Sequence, residues 1–180
     1  MYSLPLSIAI LFLFHHPNKV QASQTDLHLF VNHWPSKYGG VNKTIPLRAA
    51  AADALHSHVA AILRVDPGAE IVVMGDLNDE PDDASVTEHL GANLNLEMIG
   101  QDGYILWNVM GPWHKNPNGS TYMYAGKHMV YDHLIVSQGL TDEHGLKLVV
   151  NSVDVFDGYK YRQHDGKYDG YPFRFWAGNR

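Results

Sequence analysis

Alternation of apolar and other side chains predicts a first strand at residues 26–32. One face of this strand carries three apolar side chains that we expect to enter the core: Leu27, Leu29 and Val31. Residues 71–74 form a short, mostly β-branched run that is typical of a strand buried on both faces. Residues 121–124 and 134–137 are predicted as further strands, and we expect the strands at 26–32, 71–74 and 134–137 to be neighbours sharing one core.

The clearest helical pattern in the chain covers residues 47–63. Its apolar face is predicted from positions that recur at steps of three and four: Leu47, Ala51, Ala54, Leu55, His58, Val59 and Ile62. The alanines in this segment favour helix further. We therefore expect one amphipathic helix that covers a sheet through Leu55, Val59 and Ile62.

Residues 4–14 form the longest apolar run. The run is too short to cross a bilayer, which needs about 20 residues, so no membrane span is expected. Its length suits the apolar region of a signal peptide, with a small-residue cleavage site at residues 20–22, and residues 1–22 are then a signal segment. The alternatives are a strand or helix of the fold, or a displaced start. A true signal predicts a secreted or periplasmic protein; otherwise we expect a cytoplasmic one.

Composition narrows the class of protein. Of the 180 residues, 45% are hydrophobic and 18% charged, which suits a folded core and excludes intrinsic disorder. The formal net charge of −6 argues against a non-specific nucleic-acid binder, which needs basic surface. Cysteine is absent, which excludes disulfides, thiolate metal sites and a cysteine nucleophile.

The segment GDLNDEP follows the strand predicted at residues 71–74. Asp76 and Asn78 are two positions apart, so on extended chain their side chains point the same way and can act on one ligand. Carboxylate and amide oxygens are ligands that Mg²⁺ prefers. The alternative interpretation is a turn rich in Asp and Asn, which commonly follows a strand.

Two other motifs place polar groups beside strands. In NHWPS, His33 and Ser36 follow the first strand and can both donate to a phosphoryl oxygen; the alternative is a Trp34 that packs in the core with His33 as its neighbour. In YDHLIVS, Asp132 stands at the start of a strand. It can take part in a charge relay or bind a metal ion; alternatively, it is a polar residue that keeps an edge strand solvated.

Taken in order, NHWPSKYGG, GDLNDEP and YDHLIVS resemble the endonuclease/exonuclease/phosphatase superfamily, and most of all its bacterial, often secreted members. The resemblance implies the α+β fold of deoxyribonuclease I, a four-layer α/β/β/α sandwich. It also implies hydrolysis of phosphate esters with Mg²⁺ or Mn²⁺. The substrate class stays open between nucleic acid, phospholipid head group and sugar phosphate, and no stable protein partner is implied.

The same resemblance implies a role for each motif residue. His33 corresponds to the histidine that hydrogen-bonds the scissile phosphate, with Ser36 beside it. Asp76 corresponds to the aspartate that orients the attacking water, and Asn78 to the asparagine that holds the water, phosphate or metal. Asp132 corresponds to an aspartate that assists at the phosphate. No covalent nucleophile is required.

Two expected family groups have no counterpart in this sequence. Residues 1–24 contain no acidic residue that can serve as the family's early metal-binding Glu, and near the carboxyl end only the reversed pair His164–Asp165 is present. We therefore expect residues 23–180 to be a partial domain, truncated at both ends, that hydrolyses phosphate esters poorly or not at all on its own. The alternatives are a non-catalytic remnant of such an enzyme and a secreted sugar-binding module.

Overall fold

The protein is described by a computed structural model over residues 9–11, 14–15, 26–149 and 151–173. Its strands and helices, in chain order, are β1 (Ala9–Leu11), β2 (Phe14–His15), β3 (Leu27–His33), α1 (Val41–Val65), β4 (Glu70–Asp76), β5 (Ala92–Asn93), β6 (Leu106–Asn108), α2 (Gly111–His114), β7 (Tyr122–Tyr124), β8 (Lys127–Met129), β9 (Asp132–Val136), β10 (Lys147–Leu148) and β11 (Asp154–Phe156). All four strands predicted between residues 26 and 137 are present, with small shifts of their ends.

Five strands form the central sheet in the order β3–β4–β9–β6–β5. β3 runs parallel to β4, and β9 runs antiparallel to both β4 and β6. Because β4 lies inside the sheet, its apolar residues are buried on both faces: Ile71, Val72 and Val73 have no exposed surface. The strands at residues 26–32, 71–74 and 134–137 are therefore direct neighbours, as expected.

The two faces of this sheet pack against different layers. On one face, Leu55 and Val59 of α1 form a core with Ile71 and Val73 of β4, and Ile62 packs against its margin. On the other face, a core that includes Val72 and Leu134 also contains Leu148 of β10 and Val155 of β11. Since β1 pairs with β11 and β2 with β10, short strands lie over this second face. The arrangement is an α+β fold of the deoxyribonuclease I-like kind.

The predicted boundaries and face of the helix need correction. α1 begins at Val41, before the predicted start, and its buried side chains are Thr44, Arg48, Ala52, Leu55 and Val59. Leu47, Ala54 and His58, which we expected on the apolar face, are exposed. The predicted contact of Leu55, Val59 and Ile62 with the sheet is confirmed. The rest of the buried face was missed because a threonine and an arginine, which apolar spacing does not count, occupy it.

The predicted core face of β3 is also wrong. Leu29 is 54% exposed and Val31 is 74% exposed, whereas Phe30 is partly buried and packs against the α1 core. The parallel register pairs Phe30 with Val73, and both side chains therefore point towards α1. In this sheet β3 pairs only with β4, so it is an edge strand. The exposed side chains Leu29 and Val31 lie on its other face.

The possible signal segment is described only in part. Ala9–Leu11 and Phe14–His15 form β1 and β2, while the proposed cleavage site at residues 20–22 lies outside the described residues. Export therefore stays a prediction. Of the helices in the described part of the chain, none combines the length and apolarity that a bilayer-spanning segment needs.

Candidate functional site

Three adjacent strands bring His33, Asp76 and Asp132 into one row across the sheet. His33 is paired with Asp76 between β3 and β4, and Asp76 is paired with Asp132 between β4 and β9. His33 Nε2 lies 3.7 Å from Asp76 Oδ2, and half of the His33 side chain is exposed. Paired residues on neighbouring strands point to the same face of a sheet, so the three side chains lie on one face. The three motifs therefore meet at one end of the sheet, as expected, and the chemical roles of these residues stay predictions.

Gly75 allows β3 and β4 to approach closely beside this row. Its φ is +125°, a backbone conformation that side chains with a Cβ rarely adopt. A Cβ added to Gly75 would lie 2.0 Å from the carbonyl oxygen of Asn32, which is closer than any real contact. The glycine of the GDLN motif thus brings Asp76 next to His33.

The Asp76 carboxylate is mostly buried at the end of β4. Its Oδ1 accepts a hydrogen bond of 2.9 Å from the backbone N–H of Asn78. Burial raises the pKa of Asp76, and this effect outweighs the opposing influence of the Asn78 N–H and of His33. Asp76 is therefore a stronger proton acceptor than an ordinary surface aspartate.

Asn78 is held by local geometry. Its φ is +54°, in the left-handed region that asparagine tolerates better than most residues. Its amide Nδ2 donates to the carbonyl oxygen of Trp34 at 3.0 Å. The extended chain expected from Asp76 to Asn78 is therefore wrong, because β4 ends at Asp76 and the turn given as the alternative follows it. The turn places the Asn78 backbone N–H beside the Asp76 carboxylate, and the catalytic or metal-binding role of Asn78 stays a prediction.

Ser36 and Trp34 lie on the loop after β3. Trp34 is 4% exposed and belongs to the α1 core, as the structural interpretation of NHWPS expected. Ser36 is exposed, and its hydroxyl accepts a hydrogen bond of 3.4 Å from the N–H of Tyr38. A phosphate-binding role for Ser36 stays a prediction.

Asp132 begins β9, which lies inside the sheet between β4 and β6. The edge-strand interpretation of Asp132 is therefore wrong. Its backbone N–H and that of Tyr131 both donate to the hydroxyl of Thr121, at 2.9 and 3.0 Å, and this fixes the entry into the strand. His133, the next residue, is fully buried.

Sequence reasoning missed a buried ionic group behind the row. Arg48 of α1 donates through Nε to Asp79 Oδ2 at 2.6 Å, and Lys37 Nζ lies 3.0 Å from Asp79 Oδ1. Burial alone would raise the pKa of Asp79, but hydrogen bonds from Arg48, Ser85 and Lys37 hold it below its usual range. The available signal was that Arg48 falls on the same helical face as Ala52, Leu55 and Val59.

The described residues supply only part of a metal site. Asp76 and Asp132 are paired between β4 and β9, which puts two carboxylate side chains on one face of the sheet. Mg²⁺ often binds through one or two carboxylates and completes its shell with water and substrate oxygens. Within the described ranges, no group of three or more His, Cys, Asp or Glu side chains is arranged to hold a metal ion. The donor set fits a hydrated cation completed by substrate.

The fold and the row define an α+β protein with acidic and imidazole groups at the end of one sheet. A family model matches residues 18–180, and the chain belongs to the endonuclease/exonuclease/phosphatase family. Membership indicates metal-dependent hydrolysis of phosphoester bonds in general. Comparison with curated proteins found no match, and neither did comparison with solved structures.

Proposed function

We propose that this chain hydrolyses a phosphate ester where β3, β4 and β9 bring His33, Asp76 and Asp132 into one row. Family membership supports the class of reaction. The single observation that supports this position for the active site is the direct cross-strand pairing of His33 with Asp76 and of Asp76 with Asp132.

In the proposed reaction Asp76 orients a water molecule and accepts its proton as the water oxygen attacks phosphorus. The ester P–O bond breaks, the leaving alcohol takes a proton from solvent, and Asp76 returns its proton to solvent. The raised pKa of Asp76 suits this role, because a general base works best when its pKa approaches the working pH. His33 donates to a phosphoryl oxygen, with Ser36 and Asn78 as further donors and Asp132 assisting. Donors at these oxygens stabilise the negative charge that develops in the transition state.

The cation of the proposed reaction is Mg²⁺ or Mn²⁺. Asp76 and Asp132 would hold it through their carboxylates, with the amide oxygen of Asn78, whose Nδ2 donates to the Trp34 carbonyl, as a further ligand. When bound, the cation supplies positive charge to the phosphoryl oxygens. Two protein carboxylates leave most of the cation's shell to water and substrate, so we expect weak binding in the absence of substrate.

The substrate that we propose is a small phosphodiester or phosphomonoester, such as a short nucleic acid, a phospholipid head group or a sugar phosphate. The net charge of −6 disfavours long duplex DNA, because the protein as a whole repels a polyanion. Contact with the substrate is then local, through His33 and the cation.

The test is hydrolysis of bis-p-nitrophenyl phosphate by the purified chain with Mg²⁺, with Mn²⁺ and with chelator. We expect slow turnover that requires metal and that falls by at least about a hundredfold in Asp76→Asn, the loss expected for a group acting in the transition state. Asp102→Asn is the matched control, because Asp102 is an exposed turn residue with a positive φ that asparagine also adopts.

Two outcomes contradict the proposal. Turnover that survives in Asp76→Asn as well as in the control would place the reaction elsewhere. No turnover above the metal-only blank would leave the non-catalytic alternative as the better description of this chain.

A further inference from the structure

Asp79 accepts hydrogen bonds from side chains that belong to several different segments. Its Oδ2 accepts from Arg48 Nε and from the Ser85 hydroxyl, both at 2.6 Å. Its Oδ1 lies 3.0 Å from Lys37 Nζ, on the loop that follows His33. We call Lys37, Arg48, Asp79, Ser85 and His133 the Asp79 network. Through Lys37, this network connects the residue after Asn78 to the loop of the NHWPS motif.

Arg48 joins this network to the NHWPS loop a second time. Its Nη1 donates to the carbonyl oxygen of Pro35 at 3.3 Å and to the Thr44 hydroxyl at 2.9 Å. The side chain is fully buried, and its Nη2 has no hydrogen-bond partner among the described residues. Burying an incompletely satisfied guanidinium is costly, and apolar residues often stabilise such a position as well or better. Stability alone is therefore a poor explanation for Arg48.

The third motif is attached through the backbone of the same residue. His133 Nε2 donates to the carbonyl oxygen of Asp79 at 2.9 Å, and His133 is the neighbour of Asp132 in β9. Asn108 of β6 donates to His133 Nδ1 at 2.9 Å and so fixes the ring from the other side. One residue, Asp79, thus contacts all three segments that supply His33, Asp76 and Asp132.

We propose that Asp79 and Arg48 are positioning residues that hold His33, Asp76 and Asp132 at a fixed separation. Neither side chain touches the substrate; they act through the backbone segments that they join. The catalytic part of this inference rests on the proposed function, whereas the positioning part rests on the hydrogen bonds alone. A displacement of about 1 Å at a catalytic group can cost about a hundredfold in rate, so a small loosening has a measurable effect.

Backbone amide exchange tests the positioning without any need for activity. The N–H of Trp34 donates to the Asp76 carbonyl and the N–H of Leu77 donates to the Tyr131 carbonyl, so these two amides report on the joints between the three motifs. The N–H of Ser137, which donates to the Ile71 carbonyl at the far end of β4, is the internal reference. In Asp79→Asn we expect protection at Trp34 and Leu77 to fall by about tenfold or more, with Ser137 unchanged.

The controls separate positioning from general destabilisation. Asp53→Asn removes a carboxylate of α1 that pairs with His89 at the surface, and we expect no change at any of the three amides. Ser85→Ala removes only one hydrogen bond to Asp79 and should produce a smaller effect of the same kind, which keeps the test available if Asp79→Asn folds poorly. Equal loss of protection at Ser137 would mean a purely structural role and would overturn the inference.

An activity measurement completes the test. In Asp79→Asn we expect kcat for bis-p-nitrophenyl phosphate to fall by about tenfold or more while KM changes little, and we expect Asp53→Asn to match the wild type. Loosened amides with an unchanged kcat would overturn the inference, as would unchanged amides. Failure of the proposed function is distinguishable, because it appears as no turnover above the blank or as turnover insensitive to Asp76→Asn; the amide exchange then decides the positioning alone.

Discussion

At the scale of single residues, His133 illustrates how burial sets protonation beside the candidate site. The ring is fully buried, and burial lowers its pKa from 6.5 to about 4, against the opposing effect of the hydrogen bond to the Asp79 carbonyl. The partners assign the tautomer: Nδ1 accepts from the Asn108 amide and Nε2 donates to Asp79. His133 is therefore neutral at physiological pH and serves as a fixed donor.

This pKa predicts how stability changes with pH. Between about 4 and 6.5 the unfolded chain binds a proton at His133 that the folded protein does not, so the free energy of unfolding falls as the pH is lowered through that window. From about pH 7 to about pH 4.5 we expect a loss of about 2–3 kcal/mol, because binding one extra proton in the unfolded chain costs the folded protein about 1.4 kcal/mol for each pH step of one. His133→Gln keeps an amide donor for the Asp79 carbonyl but does not titrate. In urea unfolding, its free energy of unfolding should therefore lack the fall of about 2–3 kcal/mol between about pH 7 and about pH 4.5. Equal losses in both proteins would contradict the assignment.

At the scale of secondary-structure elements, the alignment of β3 with β4 depends on Gly75. In Gly75→Ala we expect the free energy of unfolding to fall by roughly 2–5 kcal/mol, because the new Cβ meets the Asn32 carbonyl and the backbone must also hold a positive φ. Gly103→Ala is the matched control: its φ is +82° but nothing lies within 4 Å of the added Cβ. Denaturant unfolding should find the Gly75 variant less stable than the control by roughly 1–3 kcal/mol. Equal effects would mean that the close approach is unimportant.

Sequence patterns predicted which elements form but not always which face is buried. Alternation located β3, yet its outward stripe of Leu29 and Val31 is exposed, because an edge strand need not be covered on both faces. On α1 the contact through Leu55, Val59 and Ile62 was predicted correctly, but the buried position of Arg48 was missed because its partner Asp79 comes from a distant part of the chain. Apolar periodicity contains no information about such long-range polar partners.

The convergence of the candidate site was predictable for a different reason. His33 and Asp76 both end strands, and parallel neighbours place their carboxyl ends together. Asp132 begins β9, and the start of an antiparallel neighbour lies at that same end. Asp79 was missed because a carboxylate in a loop after a strand resembles an ordinary turn residue until its partners are known.

At the scale of the whole molecule, the basic side chains closest to the candidate site, Arg48 and Lys37, are occupied by partners inside the protein. Arg48 is fully buried, and Lys37 is paired with Asp79 and Asp83, so neither presents a free charge to a large polyanion. The row itself contains two carboxylates, Asp76 and Asp132. The overall charge of −6 adds long-range repulsion of the same sign. A phosphate group can therefore be attracted locally, whereas a long duplex gains little.

This charge distribution predicts weak binding of duplex DNA with a shallow dependence on salt. In anisotropy titrations of a short labelled duplex with Mg²⁺, we expect a Kd above about 10⁻⁴ M, the weak end of non-specific binding. Each phosphate contact adds about −0.9 to the slope of log K against log salt, so contact through one cation-assisted phosphate predicts a slope near −1 between about 50 and about 200 mM salt. Lys37→Gln should change neither quantity, because the partners of Lys37 are carboxylates within the protein. A micromolar Kd with a slope of about −5 or steeper would instead indicate an extended basic interface, and duplex DNA would then become the favoured substrate.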